Sequence, residues 1–234
     1  MGVSSRGSGE VRLPFADRKQ AGRLLAGRLR RFTDEDRQAI VLGLPRGGVP
    51  VAFEVAHALR LPLDVYLVRK LGTPGFEELA MGAIATGGIR VLNRKVIEEL
   101  HVSESQLESV LSAETAELLR RERAYRQDRP CPPLEGRTAI LVDDGLATGS
   151  TMRAAIASLR AQRAREVIVA VPVAPPDTCA ELDAESDGAI CLATPQPFLA
   201  VGQWYEEFSP PSDDEIREQL MANAREIDQV SEGS

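Results

Sequence analysis

The run Ala139-Ile140-Leu141-Val142-Asp143-Asp144-Gly145-Leu146-Ala147-Thr148-Gly149-Ser150-Thr151-Met152 decides how this chain folds. Four apolar residues lead into two carboxylates, then into a short segment carrying two glycines and three hydroxyls, and then into a helix-forming sequence. A buried strand that ends in such a turn delivers it to the carboxyl edge of an open α/β sheet, where ligand crevices form. Gly145 and Gly149 permit backbone conformations and a close approach that a side chain would block. Thr148, Ser150 and Thr151 add hydroxyl donors to the free amides that open the next helix, whose dipole favours an anion. Gly145, Leu146, Ala147, Thr148, Gly149, Ser150 and Thr151 therefore read as a cradle for a dianionic phosphate.

Asp143 and Asp144 would repel that phosphate unless they serve another group. Vicinal ribose hydroxyls are such a group, because carboxylates accept their hydrogen bonds. A ribose 5-phosphate satisfies both halves of the stretch. Other phosphate motifs do not fit: there is no Gly-Lys-Ser/Thr of a Walker loop, and carboxylates stand where a dinucleotide fingerprint needs glycine. Adjacent acids on one strand end are also poorly placed to flank a glycosidic bond.

Outward from this stretch, strand-like and helix-period segments alternate. Residues 17–32 place Leu24, Leu25, Leu29 and Phe32 on one helical stripe. Residues 39–44 form a buried strand, followed by Pro45-Arg46-Gly47-Gly48 and a helix to about Leu59 with Pro50 in its first turn. Residues 63–68 are the next strand, which Arg69-Lys70 terminates. Residues 71–79 read as a loop, and 81–85 with 89–92 as a hairpin around Gly87-Gly88. Asn93 caps a helix to about His101, and Ser103 caps another to about Gln127. The basic run Arg120, Arg121, Arg123 and Arg126 reads as a solvated helix end. Strands at 138–143, 167–173 and 189–193 alternate with helices at 150–162 and 175–184, the pattern of a parallel sheet covered on both faces. An aromatic tail and a last helix from Asp213 complete the chain.

The acid pair and its Thr-Gly-x-Thr turn resemble the motif with which type I phosphoribosyltransferases bind 5-phosphoribosyl-1-pyrophosphate (PRPP), and the resemblance extends over residues 38–208. It implies that family's α/β fold: a mostly parallel central sheet flanked by helices, with a small C-terminal hood. Here a helical insertion at about 93–129 is added. The implied divisions are a flexible N-terminus plus helix at 1–37, the core at 38–193, and hood with C-terminal helix at 194–234. Arg46, Gly47 and Gly48 match the family's pyrophosphate loop, where a strained or cis peptide is often found. Lys70 would neutralise the leaving diphosphate; only three of the 28 basic residues are lysines. Residues 71–85 resemble the mobile catalytic loop, in which Glu77 and Glu78 are weaker candidates for holding magnesium or substrate. Phe198, Val201 and Trp204 fall in the hood and are candidates for contacting a base.

The implied reaction is magnesium-dependent transfer of ribose 5-phosphate from PRPP to a nitrogen acceptor, a purine or pyrimidine base, with release of pyrophosphate. Asp143, Asp144, Lys70 and Arg46 would carry it, and Asp143 and Asp144 would assist Mg2+ indirectly. One departure stands out. Ala147 occupies the place where 6-oxopurine enzymes carry a proton-handling aspartate, so the acceptor stays open. A PRPP-sensing regulator without catalysis is the alternative, and an interaction protein on a borrowed fold a third.

Composition bounds the remaining classes. The chain has 234 residues, 43% hydrophobic content and a net charge of -7, which argues against general nucleic-acid binding. Three cysteines without a C-x-x-C argue against a disulfide framework and a structural zinc site. His57 and His101 have no partner at ligand spacing. No apolar stretch reaches membrane-spanning length, and residues 1–10 read as a flexible lead-in. A cytoplasmic protein is expected, and the family's habit implies a homodimer.

Overall fold

A fully parallel sheet is stable only when helices cover both faces, so its strands should be apolar on both sides. The computed structural model, which describes residues 11–30, 38–127 and 129–232, meets that requirement. The N-terminal lead-in and the end of the first expected helix lie outside the described residues, as do the side chains of Glu77 and Glu78. In chain order the first elements are α1 (Arg18–Leu29), β1 (Ile40–Gly43), α2 (Gly48–Leu59), β2 (Leu63–Val65), β3 (Val68–Thr73), β4 (Phe76–Ala85) and β5 (Ile89–Leu92). Then come α3 (Arg94–Glu99), α4 (Glu104–Arg126), β6 (Thr138–Val142), α5 (Ser150–Ala161), β7 (Glu166–Val173), α6 (Pro176–Glu185), β8 (Ala189–Ala193) and α7 (Asp213–Glu232).

The main sheet has the order β2-β1-β6-β7-β8 and every pairing in it is parallel. Side chains alternate between two buried clusters with the period of a strand. Val41, Ile140, Val142 and Ile168 face α1, α2, α4 and α7, whereas Ile40, Leu42, Leu141 and Val169 face α5 and α6. β1 leads through α2 to β2 on one side, and β6 leads through α5 to β7 on the other. The carboxyl ends of β1 and β6 are therefore the point where the strand order reverses, the place at which open sheets form their crevice.

Three expectations need correction. Residues 71–79 are not a loop: β3 and β4 form an antiparallel pair turning at 74–75, extended by β5 into a separate three-stranded sheet. Gly72 and Pro74 suggested a break, but Gly72 sits at a register shift inside the ladder, and Leu71 and Met81 are buried under α4. Arg69-Lys70 consequently lies inside β3 rather than ending a strand of the main sheet. Second, the basic run of α4 is not all solvated. Arg126 is buried and bonds Asp64, Glu122 and the Val65 carbonyl, while Arg120 and Arg121 share Glu117. Third, Cys179 and Cys191 form a disulfide, because packing of α6 on β8 brings their Cα atoms to 6.5 Å.

The capping predictions hold. Asn93 accepts from Val96 N, and Ser103 forms a capping box with Gln106. α4 is no loose appendage, since Leu111, Leu118 and Tyr125 join the cluster built on β1 and α2. The hood draws on both ends of the chain: Phe15 pairs with Tyr205 in a parallel bridge, and Phe15 and Tyr205 are buried with Val173 beneath Phe198, Val201, Trp204 and Phe208. Among the described residues, no helix is long and apolar enough to cross a membrane.

Candidate active site

Two turns meet at the switch point. After β1, residues 45–48 enter α2; after β6, residues 143–149 enter α5. The first turn crosses directly over the acids of the second. A Cβ on Gly47 would stand 1.8 Å from Asp144 Oδ2, so only glycine admits this approach. A Cβ on Gly48 would stand 2.6 Å from Val142 O and 2.8 Å from Asp143 Cα. The Pro45–Arg46 peptide is cis, the feature implied for this loop.

The second turn is held from outside. Leu146 N donates to Val173 O at 2.9 Å, Thr178 Oγ1 donates to Ala147 O at 3.1 Å, and Arg153 donates to Thr148 O at 2.7 Å. Gly149 adopts φ +69°, which turns the chain into α5 at little cost for a glycine. The opening amides of α5 have no intrahelical partner and face outward with Thr148 and Thr151, both exposed. The turn thus sets Thr148 and Thr151 beside the opening amides of α5, at the end of the helix where the dipole favours an anion.

Asp143 and Asp144 share a half-sheltered position at the carboxyl end of β6. Asp143 Oδ1 accepts from Asp144 N at 2.8 Å. Burial, and then the neighbouring Asp144, push the Asp143 carboxyl well above the ordinary carboxylate range. Burial also raises Asp144, but Arg18 opposes that rise. Arg18 reaches Asp144 Oδ2 through Nε and a terminal nitrogen, each at 2.8 Å. The Tyr205 hydroxyl donates to the Asp144 carbonyl, and burial raises its own pKa. Arg18 thus favours the ionised form of Asp144, while burial and the neighbouring carboxylate disfavour that of Asp143.

The remaining candidates are spread more widely. Arg46 lies 3.3 Å from Asp213 at the start of α7, which also accepts from Tyr125. Lys70 instead lines a groove of about 760 Å³ between the small sheet and α5, with Ser150, Arg153 and Arg94. Lys70 therefore adjoins Ser150 at the start of α5, while Arg46 points toward α4 and α7. Val201 packs on Gly145, and Phe198 lies 6.2 Å from Trp204 within the hood cluster. Trp204 Nε1 is buried without a hydrogen-bond partner among the described residues.

Sequence reasoning missed Arg18, Tyr205 and Asp213. Arg18 is the first residue of α1 and looks like any surface arginine there; nothing local marks its reach across 126 positions to Asp144. His57 pairs with Glu226 on α7, away from the acids, and no group of three or more His, Cys, Asp or Glu among the described residues could hold a metal ion. The acids at 143 and 144 nevertheless suit magnesium in its usual mode. That ion keeps several waters and takes substrate phosphates with one or two carboxylates, rather than a cage built by protein.

Comparison with known proteins agrees with this geometry. A family model described as a phosphoribosyl transferase domain matches residues 17–192. Two Mycobacterium tuberculosis proteins, from strains CDC 1551 / Oshkosh and H37Rv, have names that carry the words phosphoribosyl transferase. Each is 49% identical over 202 residues, covering 86% of this chain and 45% of the relative. The chain thus spans about half the length of the curated relatives it matches. The crystal structure of TT1426 from Thermus thermophilus superposes with a TM-score of 0.81 at 41% identity, covering 90% of this chain and 99% of that one.

Proposed function

Since the chain belongs to the phosphoribosyl transferase family, we propose that it moves ribose 5-phosphate from PRPP to a nitrogen acceptor and releases pyrophosphate. One observation carries the reading. The glycine turn after β1 lies on the acid pair after β6, directly beside the Gly149 turn that opens α5. In this reading residues 145–151 hold the 5-phosphate, and Asp143 and Asp144 face the ribose hydroxyls. Arg46, Gly47, Gly48 and Lys70 receive the diphosphate. Arg46 does so by exchanging Asp213 for phosphate oxygens, a more strongly charged partner.

The bond from the anomeric carbon to the diphosphate oxygen breaks with its electron pair on oxygen. The acceptor nitrogen's lone pair forms the new bond on the opposite face. Charge in this transition state is spread and cationic at the sugar, so catalysis consists of positioning, stabilising the departing diphosphate and excluding water. Bound Mg2+ would neutralise the diphosphate; Asp143 and Asp144 would reach it through water or the sugar hydroxyls. Phe198, Val201 and Trp204 would cover the acceptor as parts of the hood. The exposed Ala147 has no group to take the acceptor's proton, so the acceptor must reach the site already able to attack, or lose its proton to solvent.

A PRPP-sensing regulator is the second reading, and the engagement of Arg46 by Asp213 favours it. The deciding assay is magnesium-dependent pyrophosphate release from PRPP with adenine, hypoxanthine, guanine, xanthine, uracil or orotate. The D143N/D144N variant serves as the control. Release with one acceptor, lost in the control, is the expected outcome. PRPP binding with silence across the panel would favour the regulator, and absence of binding would remove both readings.

A further inference from the structure

We propose that Arg18 is the positioning residue that sets the Asp144 carboxylate for the donor's ribose and fastens the hood to the donor site. The inference rests on the transferase reading above. Arg18 opens α1 at the far end of the chain from the hood, yet its guanidinium is enclosed between them. Its side chain is 11% exposed and that of Asp144 14%. Nε and one terminal nitrogen converge on Oδ2 of Asp144, and the other terminal nitrogen donates to Ser209 O at 2.8 Å. The Phe208 ring covers the guanidinium carbon at 4.0 Å, and the Tyr205 ring lies 5.9 Å away.

Each of these features bears on role. Each of the three nitrogens already donates one bond, so the guanidinium is committed to Asp144 and Ser209. Both bonds to Asp144 fall on one oxygen, which fixes the carboxylate's rotation and leaves Oδ1 without an arginine bond. A fork of donors in a rigid plane can impose that rotation, whereas a single ammonium cannot. The hood grips the same residue by its backbone, through the Tyr205 hydroxyl, and Val201 rests on the next residue, Gly145. Helix α1, the hood and the acid pair therefore share one joint. A sugar that draws on Asp144 also feels the position of the hood.

The test is a double-mutant cycle on PRPP affinity, measured by titration calorimetry with magnesium for wild type, R18Q, D144N and R18Q/D144N. R18Q should raise the PRPP Kd about tenfold when Asp144 is present and less than about twofold when it is not. A plain structural brace would weaken binding by the same factor in both backgrounds, and that result overturns the proposal. So does an R18Q affinity equal to wild type. R18K repeats the cycle should R18Q fold poorly: it retains the charge but not the fork. It should weaken PRPP binding in the Asp144 background alone, and equal losses in both backgrounds would again overturn the role. Wild-type protein that binds no PRPP would remove the transferase reading and this inference together, an outcome distinct from binding that ignores Arg18.

Discussion

Replacing Arg126 by methionine should be among the most damaging changes available outside the site. Arg126 bonds both oxygens of Asp64 at 3.0 and 2.8 Å, Glu122 at 3.0 Å and the Val65 carbonyl at 2.7 Å, with side-chain exposures of 5% for Arg126 and 9% for Asp64. Removing one partner of such a pair leaves a buried charge uncompensated, which costs about 3–5 kcal/mol. The pH dependence follows from Asp64. Burial already raises its pKa against the pull of Arg126, and losing the guanidinium must raise it further. In the variant the native state then holds a proton that the unfolded chain releases. Stability falls as pH rises between the unfolded and the folded pKa, by up to about 1.4 kcal/mol per pH unit. The deficit should be larger at pH 7 than at pH 5. Urea denaturation of wild type and R126M at both values measures it. The D64L/R126M variant, which removes both charges, should recover part of the loss but not the bond to Val65 O. A deficit below about 1 kcal/mol at pH 7, or one identical at both pH values, would refute the account of α4 as anchored by this pair.

Three further outcomes are expected. D143N/D144N should keep its fold by circular dichroism and lose carboxylate bonds worth about 1.5–3 kcal/mol each, so calorimetry should find PRPP binding weakened at least tenfold; unchanged affinity would remove the acid pair from the site. D143N alone should gain stability relative to wild type as pH rises above the ordinary carboxylate range, because native Asp143 keeps a proton that the unfolded chain releases and asparagine has none to keep; denaturation midpoints that run parallel as pH rises from that range would contradict this. Reducing the Cys179–Cys191 bridge, which closes a loop with a sequence separation of 12, should cost about 3 kcal/mol on the chain-entropy model, read as a lowered melting temperature; three free thiols in unreduced, denatured protein would dispose of the bridge.

The parts of the molecule legible in the sequence are those whose causes are local. β6, the acid pair, the turn and α5 occupy consecutive residues, and each states its own preference: apolar run, carboxylates, glycines, helix formers. The same holds for Asn93 and Ser103, whose caps act over three residues. Where a local cue competed with tertiary packing, packing prevailed. Gly72 and Pro74 argue for a loop, yet burial of Leu71 and Met81 beneath α4 draws the segment into a ladder that tolerates the glycine at a register shift.

Periodicity and neighbours along the chain were enough for the α/β class and the parallel sheet, and the resemblance of the acid pair and its Gly-rich turn was enough for the family. Which charges meet was a matter of packing in three dimensions. Arg126 on α4 found Asp64 in β2, Cys179 found Cys191, and Arg18 closed on Asp144 beneath a hood made from both ends of the chain. An arginine carries the same charge and the same helix preference wherever it stands. Whether it is solvated or buried on a carboxylate depends on which elements the sheet order brings together, and that order is not a property of any one segment.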